Sequence, residues 1–352
     1  MSRRPSFTLV LPAYNEAPTI TEHLETFVAY LRGLEDRYDW ELLVVNDGST
    51  DATGELAETF AASHANVRVL HHFRNYKLGQ ALRYAFANSH RDYIVTFDVD
   101  LSYSTDHIER MLDEIVLSQA KIVVASPYMK AGKTTAIPFT RRVPSRVANW
   151  LLSLASRSGI HTITGMVRAY DRRFIQSLNL KSVDNELNAE IIYTAELLNA
   201  YIVEIPAHLD WTGQQDRREG TVGMWRMTTG FAFSGFLFRP FVFFTLPGLV
   251  ILVLALYTLG WSVYHTLEAY ALTSGGFDPR LSQAIAMAFE KSPHSFVVGG
   301  TALVVGIQLL SLGLLSAQKK RYFEELFHLG ATMNRRLVEE DRIDRAASSA
   351  SR

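Results

Sequence analysis

The sequence predicts a mostly parallel α/β domain followed by two membrane-spanning helices. Short β-rich runs alternate with amphipathic segments up to about Leu209, the pattern of a parallel sheet with helices on its faces. Phe241 to Tyr264 and Phe296 to Ala317 contain no Asp, Glu, Lys or Arg, and each reaches the roughly 20 residues needed to cross a bilayer. Asp47, Asp98 and Asp100 stand just past the ends of apolar runs. Open α/β sheets bind ligands there, outside the carboxyl ends of their strands.

The expected strands are Phe7–Leu11, Trp40–Asn46, Val67–His71, Tyr93–Phe97, Lys121–Ser126 and Tyr201–Ile205, rich in β-branched and aromatic residues. Thr19-Ile20-Thr21-Glu22 has capping-box spacing and opens a helix to about Leu34. Further helices are expected near Ala52–Ser63, Lys77–Ser89, Asp106–Ser118 and Asn188–Leu198. Arg141–Leu152 and Met224–Arg239 mix Arg with Trp, Phe and Leu, as helices lying on a headgroup layer do.

Lys and Arg flank the two spans unevenly. Arg226 and Arg239 precede the first, Lys319, Lys320 and Arg321 follow the second, and only Arg280 and Lys291 lie between. By the positive-inside rule both termini are cytoplasmic. The expected organisation is a cytoplasmic domain over 1–223 and an interfacial helix over 224–240. A two-span unit over 241–317 follows (spans 241–264 and 296–317, with an external loop), then a cytoplasmic helix and tail over 318–352.

A chain of 352 residues can bury a large core unaided. It has no cysteine, which excludes a disulfide framework and cysteine-ligated metal and fits folding in a reducing compartment. The net charge of -1 gives no sign of a nucleic-acid partner. The apolar run Phe7–Leu11 is far short of a signal-peptide core, so the start of the chain is expected in the cytosol.

Asp98 and Asp100 stand two apart. In extended backbone their side chains leave on one side and can share a hard cation, Mg2+ or Mn2+, completed by water and substrate phosphates. Asp47 would accept hydrogen bonds from a base or ribose, and Pro12 and Tyr14 offer flat apolar contact to a base. The Asn75–Arg83 segment opens a helix after a strand, and its amino end with Lys77 favours phosphates. His71 and His72 are adjacent on a strand and point to opposite faces, which argues against a metal pair.

Taken in order, Pro12-Ala13-Tyr14-Asn15-Glu16, Asn46–Asp51, Asn75–Arg83, Asp98-Val99-Asp100-Leu101, Thr164–Tyr170 and Arg217-x-x-Gly220 resemble the family 2 glycosyltransferases. Within that family the chain is similar to the dolichyl-phosphate mannose synthase and polyprenyl-phosphate glycosyltransferase branch. The resemblance covers roughly the first 220 residues and implies a GT-A (Rossmann-like) fold with a metal on Asp98 and Asp100. It further implies a nucleotide-sugar donor (GDP-mannose or UDP-hexose), inversion at the anomeric carbon, and a polyprenyl or dolichyl phosphate acceptor held at the bilayer. By motif position Pro12, Tyr14, Glu16, Asp47, Lys77 and Asp98 would hold the nucleotide, and Glu190 would be the acidic helix residue near the sugar. Arg168, Arg217 and Arg218 would meet phosphates of donor or acceptor. The chain departs from the pattern at Ser102, where relatives carry Gln, and at Thr221-Val222-Gly223, where they carry Ser-Lys.

A phosphate monoester has a second pKa of about 6 and is already nucleophilic at pH 7, so such an acceptor needs no strong general base. Three alternatives stand beside it. A processive polysaccharide synthase usually carries Gln-x-x-Arg-Trp, whereas Gln215-Asp216-Arg217-Arg218 is followed by Glu219. Its channel would require the two spans to form a homo-oligomer. Transfer to a lipid hydroxyl would need a base, for which Asp184 or Glu186 is available. A non-catalytic scaffold would bind nucleotide sugar without turnover.

Overall fold

The computed structural model describes residues 4–137, 159–212, 240–319 and 322. The chain divides into two compact units, Met1–Phe238 and Arg239–Arg352.

Unit 1 is built on a seven-stranded sheet in the order β3-β2-β1-β4-β7-β5-β8. The strands are β1 (Ser6–Ala13), β2 (Asp39–Asn46), β3 (Val67–His71), β4 (Tyr93–Thr96), β5 (Ile122–Ser126), β7 (Arg168–Asp171) and β8 (Ile202–Pro206). All pair in parallel except β7, which runs antiparallel to β4 and β5. Two short strands, β6 (Lys133–Thr135) and β9 (His208–Asp210), pair separately. The six expected strands are present. β7 was not expected, because Arg168-Ala169-Tyr170-Asp171 has charged ends and only two apolar residues.

Both faces of the sheet are covered, so its strands read as continuous apolar runs. Phe7, Leu9 and Leu11 of β1 point to one face, packed by α1 (Ile20–Arg32), α2 (Thr53–Ala62) and α4 (Asp106–Ser118). Val10 points to the other, packed by α3 (Leu78–Asn88), α5 (Arg172–Ser177) and α6 (Glu186–Leu197). The result is a three-layer, mostly parallel GT-A-like core. α1 starts where the capping-box spacing put it, but the Thr19 hydroxyl is not its cap. Instead the Glu16 carbonyl accepts from Thr19 N (3.0 Å) and Ile20 N (2.9 Å).

Unit 2 contains α7 (Pro240–Leu272), α8 (Phe277–Lys291) and α9 (Pro293–Lys319). α7 and α9 are long and apolar enough to cross a membrane, with mean hydropathies of 2.1 and 2.0. They approach closely at glycines seven residues apart on α9. A Cβ at Gly306 would lie 3.2 Å from Leu252 N, and one at Gly313 would lie 2.4 Å from Thr245 Oγ1. α8 occupies part of the stretch expected as a loop, packing Ala284 and Ala288 inward. The expected interfacial helices at Arg141–Leu152 and 224–240 lie outside the described residues, Pro240 excepted, and so does most of 318–352.

Candidate active site

The parallel strands β1, β2, β3 and β4 end together at one edge of the sheet, and the acidic loops follow there. The loop after β1 is tied to the one after β2. Asn15 Oδ1 accepts from Thr50 N (2.8 Å), Glu16 N donates to Thr53 Oγ1 (2.7 Å) and Ala17 N to Asp51 Oδ2 (3.2 Å). Tyr14 is left 43% exposed, a flat ring open to a ligand.

Asp47 is buried, and its carboxylate is already engaged. Tyr76 N and Lys77 N donate to its two oxygens at 3.0 and 2.9 Å, and His72 Nδ1 lies 2.6 Å from Oδ1. It thus fastens the segment between β3 and α3 to the end of β2. Gly48 makes the approach possible, with φ +65° and with Arg74 C only 2.1 Å from where a Cβ would sit. Lys77 is held at φ 79°, ψ 162°, a region almost restricted to glycine. Pro12 near the end of β1 and Tyr14, Glu16, Asp47 and Lys77 on the neighbouring loops therefore stand at one edge.

Asp98 and Asp100 lie beyond the end of β4, Asp100 in a turn rather than in the extended backbone expected. Leu101 turns the chain with φ 55°, and Ser102 N donates to Asp100 Oδ1 at 3.0 Å. Both carboxylates still line one cleft of about 230 Å³, room for about eight waters. Burial, then the charge of Asp100, raises the Asp98 carboxyl to about 7, and the Ser102 hydroxyl opposes the rise. Burial and the Asp98 charge also push the Tyr103 phenol well up. Like charges held close with a hydroxyl beside them form an all-oxygen set that suits a hard divalent cation. Among the described residues no group of three His, Cys, Asp or Glu side chains is placed to hold a metal, so a cation here would need substrate or water oxygens as well.

The far wall of the cleft combines the start of the Thr164–Tyr170 motif with residues that no motif identified. Tyr128 follows β5, and Trp211 follows β9. The segment before β7 contributes Thr162, Thr164, Gly165 and Met166, and α6 with its N-cap contributes Asn188 and Asn185. Tyr128 had a signal: it too sits just past a parallel strand.

Arg168 is corrected by the structure. It is fully buried, and its guanidinium donates to Asn188 O (2.8 Å) and Ile163 O (2.5 Å), so it braces the cleft instead of facing a phosphate. Glu190 is also engaged, accepting from Lys181 N (2.9 Å) and Ser182 N (2.8 Å). Arg217 and Arg218 lie outside the described residues.

The family model described as glycosyl transferase family 2 matches residues 8–178. Polyprenol monophosphomannose synthase of Mycolicibacterium smegmatis is 30% identical over 205 residues, 56% of this chain and 75% of that protein. Dolichyl-phosphate beta-glucosyltransferase ALG5C of Trichomonas vaginalis is 28% identical over 234 residues, 62% of this chain and 68% of that protein. Glycosyltransferase AglD of Haloferax volcanii is 29% identical over 213 residues, 60% of this chain but only 34% of its own length. A crystal structure of glucosyl-3-phosphoglycerate synthase from Mycobacterium tuberculosis with Mg2+ and UDP superposes with a TM-score of 0.49 at 20% identity, covering 66% of this chain and 79% of that one. The chain belongs to the glycosyl transferase family 2.

Proposed function

We propose that the protein transfers a hexose, with inversion, from a nucleotide diphosphate to polyprenyl or dolichyl phosphate at the cytoplasmic face of a membrane. Two relatives similar over more than half of this chain support it, since their names specify polyprenol and dolichyl phosphate sugars. Unit 2 fits the same reading. Its apolar helices are only 11% and 17% buried within the protein, as lipid-facing spans are. A polyprenyl chain leaves the bilayer at a cost of about 0.8 kcal/mol per exposed CH₂, so an enzyme acting on it must work at the membrane.

Asp98 and Asp100 would hold Mg2+ or Mn2+, which supplies Lewis-acid neutralisation of the charge developing on the departing diphosphate. Ser102 N fixes the Asp100 carboxylate through a 3.0 Å hydrogen bond. The loops after β1, β2 and β3 would bind the nucleoside, with Tyr14 against the base and Lys77 near the phosphates. The acceptor dianion attacks the anomeric carbon without a dedicated base. The basic flanks of the two spans support a cytoplasmic placement of both termini.

The experiment is nucleotide release from UDP-glucose, UDP-N-acetylglucosamine and GDP-mannose by the full chain in detergent. Release that depends on added polyprenyl phosphate supports lipid-phosphate transfer. Release that is independent of the lipid, or binding without release, contradicts it.

A further inference from the structure

Four side chains stand in one row across the sheet. Thr96 of β4 pairs with Arg168 of β7, Arg168 with Val124 of β5, and Val124 with Glu204 of β8. Directly paired residues share a face, here the face on which Val124 packs with α3 and α6. Residues 161–166 run across this row in the opposite order, and each polar member holds the part opposite it.

Glu204, with its side chain 8% exposed, accepts from His161 N (2.9 Å) and Thr162 N (2.8 Å), and its second oxygen lies 2.9 Å from His161 Nδ1. Arg168 donates to Ile163 O at 2.5 Å. Thr96 Oγ1 donates to Met166 O at 2.5 Å. From β5, Ser126 Oγ meets Thr162 Oγ1 at 2.7 Å. A buried anion thus grips amides and a buried cation grips a carbonyl of a segment with neither helix nor strand. A passive wall could be apolar, and burying charge to hold one is costly. The arrangement makes sense where backbone position must be set finely.

We propose that residues 161–166 are the wall that reads the transferred sugar, and that Glu204 is a positioning residue for it. This rests on the glycosyl-transfer reading above and deepens it by separating recognition of the sugar from recognition of the nucleotide. Thr164, Gly165 and Met166 line the same cleft as Asp98 and Asp100, whereas Tyr14, Asp47 and Lys77 do not line it. Gly165 leaves the wall open. A Cβ there would meet one atom, Thr162 Cγ2 at 3.0 Å, so a larger side chain would grow into the cleft.

The test compares binding of UDP and GDP with turnover of UDP-glucose and GDP-mannose in the presence of polyprenyl phosphate, all with Mn2+, on the full chain in detergent. Glu204→Gln loosens the segment, while Gly165→Val narrows the cleft, presses on the Thr162 methyl and removes none of the tying side chains. Glu41→Gln is the control, because Glu41 ties Arg68 and Thr8 in β3 and β1 and contributes nothing to the cleft. Both cleft variants should bind the nucleoside diphosphate within about twofold of wild type. Both should lose about a hundredfold in kcat/KM for the nucleotide sugar, the scale of an ångström of misplacement. Glu41→Gln should keep the wild-type preference. Equal weakening of diphosphate and nucleotide sugar, or no loss in either variant, overturns the proposal. Failure of wild type to bind any nucleoside diphosphate overturns the parent reading, and this one with it.

Discussion

Replacing Asp100 by Asn should stabilise the metal-free protein at pH 8 while abolishing turnover. The Asp98 carboxyl rises from 3.8 to about 7, through burial first and the Asp100 charge second. At about 1.4 kcal/mol per pH unit, ionising Asp98 in the folded chain costs about 4 kcal/mol at most. Burial leads, and water in the cleft tempers the rest, so the Asp100 charge accounts for about 1 kcal/mol. The sign follows from proton binding. Folded Asp98 keeps its proton to higher pH than the unfolded chain does, so the stabilisation is complete below about pH 4 and is lost as pH rises to about 7. Asparagine can still accept from Ser102 N but carries no charge, so less is lost. For a unit of this size, about 1 kcal/mol moves Tm by about 2–4 °C. Thermal unfolding of the full chain in detergent with chelator should put Asp100→Asn above wild type by that margin at pH 8 and level with it at pH 4. Added Mn2+ should then raise wild type and not the variant. A variant that melts below wild type at pH 8 would refute the like-charge account of the pair.

Three further outcomes follow from the packing. Gly79→Ala would put a Cβ 2.6 Å from Val183 C and 2.7 Å from Asp184 O, both backbone atoms. The amino end of α3 must then shift, and titration with nucleoside diphosphate should show affinity down by about tenfold, near 1.4 kcal/mol. Arg168→Met strips charged donors from Ile163 O and Asn188 O; it should cost about 3 kcal/mol, seen as a large fall in Tm that Arg168→Lys only partly restores. Gly306→Leu drives a side chain into the α7 backbone at Leu252. It should lower the melting temperature in detergent and leave nucleotide affinity at its wild-type value.

Much of unit 1 was legible because its strands are buried on both faces and end in turn-forming residues. β7 escaped for a physical reason. Its place is fixed by two antiparallel neighbours, and only Ala169 and Tyr170, one in each apolar layer, mark it as a strand. α8 is short and carries polar residues among its apolar ones, so its stretch reads as a loop between spans. Asp98 and Asp100 stood out in the sequence as two acids two apart just past an apolar strand, and the structure puts both in one cleft. Arg168 misled because arginine suggests phosphate, whereas its complete burial makes it a brace. Glu204 was invisible: it lies inside a strand, and its partners at 161 and 162 come near only through the register of β5 with β8.

The most direct test of the central claim is transfer of radiolabelled sugar from each nucleotide donor to polyprenyl phosphate by the full chain, with Mn2+ and with chelator. One labelled lipid, from one donor, is expected, and it should disappear with chelator and with Asp98→Ala. A labelled lipid that persists in both would contradict the metal assignment, and label appearing only in polymer or water-soluble product would contradict the lipid-phosphate acceptor.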